Sequence, residues 1–177
     1  INDKRQQGAP TLEQLKALDE RAKEIEQKIK VWGRQSQEVQ RLEQVPGIGP
    51  ITATALVAGL GDVSHFEDGR QVSAWLGLVP RQHSSGGKTV LLGITKRGDS
   101  YLRTLLIHGA RSAILAAQKS KEGPPGWLAS LLARKHPNVA AVALASRNAR
   151  TVWALLMHKR DYDPKYGRDK HLSAAVM

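Results

Sequence analysis

The chain has 177 residues, 41% hydrophobic and 24% charged, enough for one or two small domains with an apolar core. It has no cysteine, which excludes disulfides, cysteine-type zinc sites and thiol nucleophiles, and no apolar run approaches the roughly 20 residues that cross a bilayer. Its net charge of +11 is unevenly placed, with nine Lys/Arg against eight Asp/Glu in residues 1–43 and eighteen against eight in residues 44–177. Such an excess points to a polyanionic partner, nucleic acid above all, against the blander reading of a basic surface that only aids solubility.

Residues 1–10 are polar, contain Gly8 and Pro10, and read as a linker. The chain starts at Ile1 without a secretory-signal layout, so it is expected to be part of something longer, with upstream residues completing any active site. Thr11 is placed to cap a helix, with Gln14 in capping-box position. Leu15, Leu18, Ala22, Ile25, Ile29, Trp32 and Val39 then follow in three- and four-residue steps, broken only by Ser36. This heptad seam predicts one long coiled-coil-like helix to about Arg41, within a segment spanning residues 11–43. Pairing with a second chain or an absent helix is the expectation, and a helix lying on its own domain's core is the alternative.

Val45-Pro-Gly-Ile-Gly49, leading into an Ala-rich helix, resembles a helix-hairpin-helix motif. In that motif Gly47, Ile48 and Gly49 present backbone N–H groups to phosphate without reading sequence, although a purely structural corner has the same composition. Gly61-Asp62 closes the helix, and residues 69–76 form a short one ending at Gly77.

The polar stretch Leu78-Val-Pro-Arg-Gln-His-Ser-Ser-Gly-Gly-Lys88 lies between two segments that read as buried, 76–80 and 89–94. Ser84 to Gly87 has the composition of a tight turn. Its chemistry exceeds a turn's needs: Ser84 and Ser85 are possible nucleophiles, His83 a proton acceptor, and Arg81 and Lys88 phosphate ligands. Asp99 is positioned to cap a helix over 100–119, where Leu102, Leu105, Leu106, Ala110, Ala113, Ile114 and Ala117 have helical period and Arg103 and Arg111 fall opposite. Lys96 and Arg97 precede its amino terminus, where the helix dipole favours phosphate, and with Arg103 and Arg111 they are candidate nucleic-acid contacts. A charged Gly/Pro break, a short helix over 127–135 and a longer one from Pro137 to about His158 complete the domain. The last helix is expected to bury Val139, Val142, Ala143, Val152, Trp153, Leu155 and Leu156, with Arg147 and Arg150 as phosphate contacts.

Val45-Pro-Gly-Ile-Gly49, Phe66, Ala74-Trp-Leu-Gly-Leu-Val-Pro-Arg81, Ser85-Gly-Gly-Lys88, Ile94-Thr-Lys-Arg-Gly-Asp99 and Tyr101-Leu-Arg-Thr-Leu-Leu106 occur in order. Together, over roughly residues 40–160, they resemble the carboxy-terminal domain of the insertion-sequence transposases that include the pilin-inversion recombinase Piv. The resemblance implies an Asp-Glu-Asp-Asp RuvC-like domain upstream, a coiled coil, and a domain with a nucleophilic serine, several members being guided by a structured RNA. The family's serine falls on Ser85, with Ser84 less constrained.

The reading is therefore a mainly α protein: a long coiled-coil helix, then a compact helical domain over residues 44–160 with a helix-hairpin-helix and a short β-hairpin, and a flexible tail over 161–177. Its function is expected to be DNA cutting and rejoining through a phosphoserine at Ser85, assisted by His83 or by the absent acidic domain. A non-catalytic module that binds DNA or RNA is the alternative. The resemblance implies DNA, a guide RNA and further copies of the chain as partners, in a prokaryotic cytoplasm at the nucleoid, with no membrane contact. The eight acids after residue 43 are scattered and the six histidines lack metal-ligand spacing. No cofactor is expected in this part, and Mg2+ is assigned to the acidic domain.

Overall fold

The computed structural model describes residues 11–85 and 88–164, and of residues 83–85, 88, 89 and 91 the backbone alone. The linker over 1–10, the Gly86-Gly87 pair and the tail from 165 lie outside it. Among the described residues it is mainly helical: α1 (Leu12–Gly33), α2 (Gln37–Glu43), α3 (Pro50–Leu60), a 3-10 turn (Val63–His65) and α4 (Gly69–Trp75) come first. An antiparallel hairpin, β1 (Pro80–Ser85) and β2 (Lys88–Ile94), precedes α5 (Ser100–Lys119), α6 (Gly126–Arg134) and α7 (Pro137–His158).

Local chemistry sets most boundaries. Thr11 and Gln14 form the reciprocal capping box, Thr11 Oγ1 accepting from Gln14 N–H and Gln14 Oε1 from Thr11 N–H. Asp99 Oδ1 accepts from Leu102 N–H at 2.9 Å and starts α5. Pro50 and Pro137 occupy first-turn positions, where a missing N–H costs nothing.

The helix expected to run unbroken to Arg41 is two helices. Gly33 ends α1 and is packed so closely that a Cβ there would lie 3.1 Å from Val39 Cγ1. Ser36, the polar interruption in the seam, is the N-cap of α2, and its hydroxyl accepts from Val39 N–H at 3.3 Å. The break redirects the chain: Val39 and Leu42 turn into the core, so the compact domain begins with α2 rather than at residue 44.

One core joins Val39, Leu42, Val45, Ile48, Leu56, Val72, Leu76, Leu78, Leu102, Leu106 and Val152. A smaller one gathers Ile114, Leu128, Ala140 and Ala141, with Leu144 packed against both. The buried face of α7 departs from expectation. Val152 and Leu155 are buried and Trp153 and Leu156 pack against the core as expected, but Val139 is exposed, and Ala140, Ala141, Ala145, Asn148 and Ala149 form the rest of the face. Short alanine side chains let α5 and α7 approach closely, and Ala110 on α5 is likewise fully buried. Polar links span the core: Asn148 Nδ2 donates to Pro46 O at 3.0 Å, Ser73 and Ser146 hydroxyls meet at 2.8 Å, and Trp153 Nε1 donates to Phe66 O at 3.2 Å.

Most of α1 stands apart from this core. Leu12, Leu15, Leu18 and Ile25 are exposed, and Ile29 is half-buried where the end of α1 meets α3.

Candidate functional site

The serine-bearing stretch folds as a ribbon whose strands pair mainly with each other rather than with the helices. Ser85 faces Lys88, Ser84 faces Thr89, His83 faces Val90 and Gln82 faces Leu91. Residues two apart share a face of a strand, and residues directly opposite in an antiparallel pair share it too. Ser85, His83, Lys88 and Val90 therefore occupy one face of the ribbon, and Ser84, Gln82, Thr89 and Leu91 the other. The side chains of His83, Ser84, Ser85 and Lys88 lie outside the description. Val90 and Leu92 are exposed, which corrects the expectation of a buried segment over 89–94, whereas Leu76 and Leu78, ahead of β1, are buried.

At the root of the ribbon the register slips, Pro80 pairing with Ile94, and Arg81 sits exposed at the irregular step. Below it the two chain segments cross in close backbone contact. Gly77 (φ +69°) lies against Arg97, whose carbonyl oxygen would be 2.1 Å from a Cβ on Gly77. Gly98 (φ +82°) lies against Trp75, whose carbonyl oxygen would be 1.8 Å from a Cβ there. Both positions require glycine on conformational and steric grounds. Lys96, at φ +56°, donates its N–H to Gly77 O at 3.1 Å.

Among the cations expected to meet phosphate, Arg81, Lys96, Arg97, Arg111, Arg147 and Arg150 are exposed. Three of the arginines, counting Arg103, have side-chain engagements already. Arg103 is half-buried, and its Nη1 reaches Leu76 O (3.2 Å), Arg97 O (3.2 Å) and, at the outer limit, Asp99 O (3.5 Å). Arg111 Nη2 donates to Asn138 Oδ1 at 3.2 Å, tying α5 to the start of α7. The Arg147 guanidinium lies 4.8 Å over the Trp127 ring. Arg150 provides at its backbone the surface on which Gly69 of α4 packs.

The corner between α2 and α3 uses its three residues differently. Ile48 is buried, and its N–H is already bonded to Val45 O at 2.9 Å. Gly47 (φ +89°) is pressed against α5, where the Gly109 carbonyl oxygen would be 2.5 Å from a Cβ on Gly47. Gly49 alone of the three is exposed, as the N-cap of α3. A depression of about 410 Å³ opens beside it, lined by Glu43, Pro46, Thr52, Gly109 and Ser112 among others. The close packing of Gly109 and the carbonyl hook of Arg103 were not legible in the sequence, because each depends on a segment distant along the chain.

Arg103 and Gly109 are six residues apart on α5, about 9 Å along its axis. The ribbon root and the α2–α3 corner thus lie along one helix. Arg111, two residues beyond Gly109, reaches the start of α7, and Arg147 lies against Trp127 of α6. Among the described residues no three His, Asp or Glu side chains come together as a metal site, and no helix is long and apolar enough to cross a membrane. Asp62 is the one described carboxylate whose pKa is clearly displaced. Ser64 N–H donates to its Oδ1 at 2.9 Å, and that bond, with the Ser64 hydroxyl and nearby His65, holds its pKa below the usual value.

Comparison with known proteins matches this architecture to one family. Over 152 residues, 86% of this chain and 45% of the relative, it is 49% identical to a "Probable family 20 transposase" of Pseudomonas aeruginosa. It is 45% identical over 144 residues, 81% of this chain and 40% of the relative, to the "Transposase for insertion sequence element IS1111A" of Coxiella burnetii. A shorter match, 40% identical over 45 residues, covers 25% of this chain and 14% of the "Pilin gene-inverting protein" of Moraxella bovis. The chain spans less than half the length of these curated relatives. The "Transposase IS116/IS110/IS902 family" model matches residues 39–123, from α2 through the corner, the ribbon and α5, so this stretch of the chain is similar to the transposase domain of that family.

Proposed function

We propose that this chain is the serine-bearing part of a DNA transposase that cuts and rejoins strands through a phosphoserine at Ser85. The observation that carries the reading is the register of the ribbon. Ser85 pairs with Lys88 at the far end of the described ribbon, and His83, two residues back, shares its face while Ser84 takes the other. In the cleavage step the Ser85 hydroxyl gives up its proton, its oxygen bonds to phosphorus, and the bond from phosphorus to a deoxyribose oxygen breaks, that oxygen leaving as a hydroxyl. Attack by a second strand's hydroxyl on the phosphoserine reverses the exchange and frees the serine. A serine hydroxyl is a weak nucleophile unless a base assists, and His83, two residues away on the same face, is that base or its positioning partner. Arg81, Lys88 and Arg97 stabilise the charge gathering at phosphorus.

The described residues do not fit a two-metal centre, which needs several carboxylates converging on ions about 4 Å apart. No step is therefore routed through a metal in this chain. Mg2+ belongs to a RuvC-like acidic domain elsewhere in the protein, which the family reading supplies. The apolar stripe left exposed on α1 supports pairing with α1 of another copy, and the basic surface supports DNA, with a guide RNA as the targeting partner.

Covalent trapping tests the reading. Full-length protein on a nicked suicide substrate should form a protein–DNA adduct that maps to the peptide from His83 to Lys88. Ser85→Ala should abolish it with DNA binding retained, while Ser84→Ala should still form it. An undiminished adduct from Ser85→Ala would overturn the assignment. No adduct from the wild type would favour a non-catalytic helix-hairpin-helix module that binds DNA or RNA.

A further inference from the structure

We propose that Arg103 is a positioning residue that aims the ribbon, rather than one of the cations that hold nucleic acid. The inference rests on the serine reading only for what sits at the ribbon's tip. Arg103 projects from the first turn of α5, whose start is fixed by the Asp99 cap and by the burial of Leu102. Its Nη1 lies within hydrogen-bonding distance of carbonyls on both segments that lead into the ribbon, Leu76 O before β1 and Arg97 O after β2. These two segments are otherwise joined by Lys96 N–H to Gly77 O at 3.1 Å, Thr95 N–H to Val79 O at 2.9 Å, and the interlocked Gly77 and Gly98. The guanidinium thus ties both roots of the ribbon to a helix that the core holds rigidly. Nη1 carries two hydrogens, one for each carbonyl, and the rigid guanidinium plane fixes where they point, which a lysine ammonium on a flexible stem does poorly.

The leverage is geometric. From Pro80 to Ser85 the strand spans about 17 Å, so a tilt of about 10° at the root carries the tip about 3 Å. Because the strands pack mainly on each other, the root is where that tilt is resisted. Displacing a reacting group by about 1 Å is enough to cost about a hundredfold in rate.

The test compares Arg103→Ala and Arg103→Lys in the full-length protein, with spin labels at Val90→Cys on the ribbon and Gln118→Cys on α5 in a background without other cysteines. Both labelled positions are exposed, and this chain supplies no competing thiol. Positioning predicts a broadened label-to-label distance distribution and adduct formation slowed about a hundredfold at saturating DNA, with DNA affinity and salt dependence unchanged. Arg103→Lys keeps the charge but not the fork, and should bind normally while remaining slow. A phosphate-contact role predicts the reverse: Arg103→Ala loses affinity and about one unit of log–log salt slope, Arg103→Lys performs as wild type, and the distribution stays narrow. That result would overturn the proposal, as would a distribution and rate unchanged in both variants. Broadening in the variants, with no adduct even from the wild type, would overturn the serine reading and leave the aiming role of Arg103 standing. Arg103→Lys is the milder change, so a failure of Arg103→Ala to fold leaves the comparison intact.

Discussion

Two helices of nearly equal length in this chain show how differently one periodicity can be used. α1 (22 residues) and α5 (20 residues) both carry apolar side chains at three- and four-residue steps, and each starts with a side-chain cap. α5 buries Leu102, Leu106, Ala110 and Ile114 between α3 and α7. α1 leaves Leu12 and Leu18 at 69% and 61% exposure, and only its last turns touch α3. The amphipathic pattern therefore specifies a helix with something to bury, and the surroundings decide whether the partner lies in the same domain. A stripe this long would not remain in water without cost, at about 25 cal/mol per Å² of apolar surface, so α1 is read as an arm for association.

The comparison breaks most sharply in the core. Leu106→Ala should lower the unfolding free energy by about 2–5 kcal/mol, through lost burial and the cavity left between α5 and its neighbours, measured by denaturant unfolding. The matching change on the arm, Leu18→Ala, should shift the same transition by no more than about 0.5 kcal/mol in protein dilute enough to be monomeric. A large loss from Leu18→Ala under those conditions would show that α1 folds back on its own domain.

A charge on the arm sharpens the contrast from the other side. Leu18→Asp with Ile25→Asp should leave the domain's own unfolding nearly unchanged, yet reduce the assembly's mass in sedimentation, because an apolar seam does not tolerate unpaired carboxylates. Unaltered mass would remove the case for α1 as the pairing element.

The smallest effect lies in the compact half, at the turn after α3. The Asp62 carboxyl is held below its ordinary pKa by the Ser64 N–H bond, so its contribution to stability is present at neutral pH. It is lost as pH falls through the lowered value, which is below the unfolded carboxylate pKa of about 4. Asp62→Asn should therefore melt slightly below wild type at pH 7, and the gap should close in acid. A gap that persists at low pH would assign the turn's stability to another group.

Much of this architecture was legible along the chain because its determinants are local. The Thr11-Gln14 box, the Asp99 cap and the proline opening α7 each act within a few residues. The break at residues 34–36 was misread because Ser36 occupies a seam position in the heptad and a cap position in the structure, and periodicity alone does not separate the two. The buried face of α7 was misread for a related reason. Hydrophobicity favours Val139 and Val142, but the close approach of α5 favours the small alanines beside them.

The sequence by itself determined the helical class, the element order from the α2–α3 corner onward, the basic carboxy-terminal part and the candidate residues of the ribbon, since these follow from composition and from patterns a few residues long. Only the tertiary structure decided how several of those residues are used. Gly47 meets Gly109, sixty-two positions away, and Arg103 meets Leu76, so a glycine and an arginine expected at phosphate also have packing and hydrogen-bonding partners at the corner and the root of the ribbon. The physical reason is that a backbone N–H or a guanidinium has the same chemistry wherever it stands, and what it bonds is set by which distant segment the fold brings within about 3 Å of it.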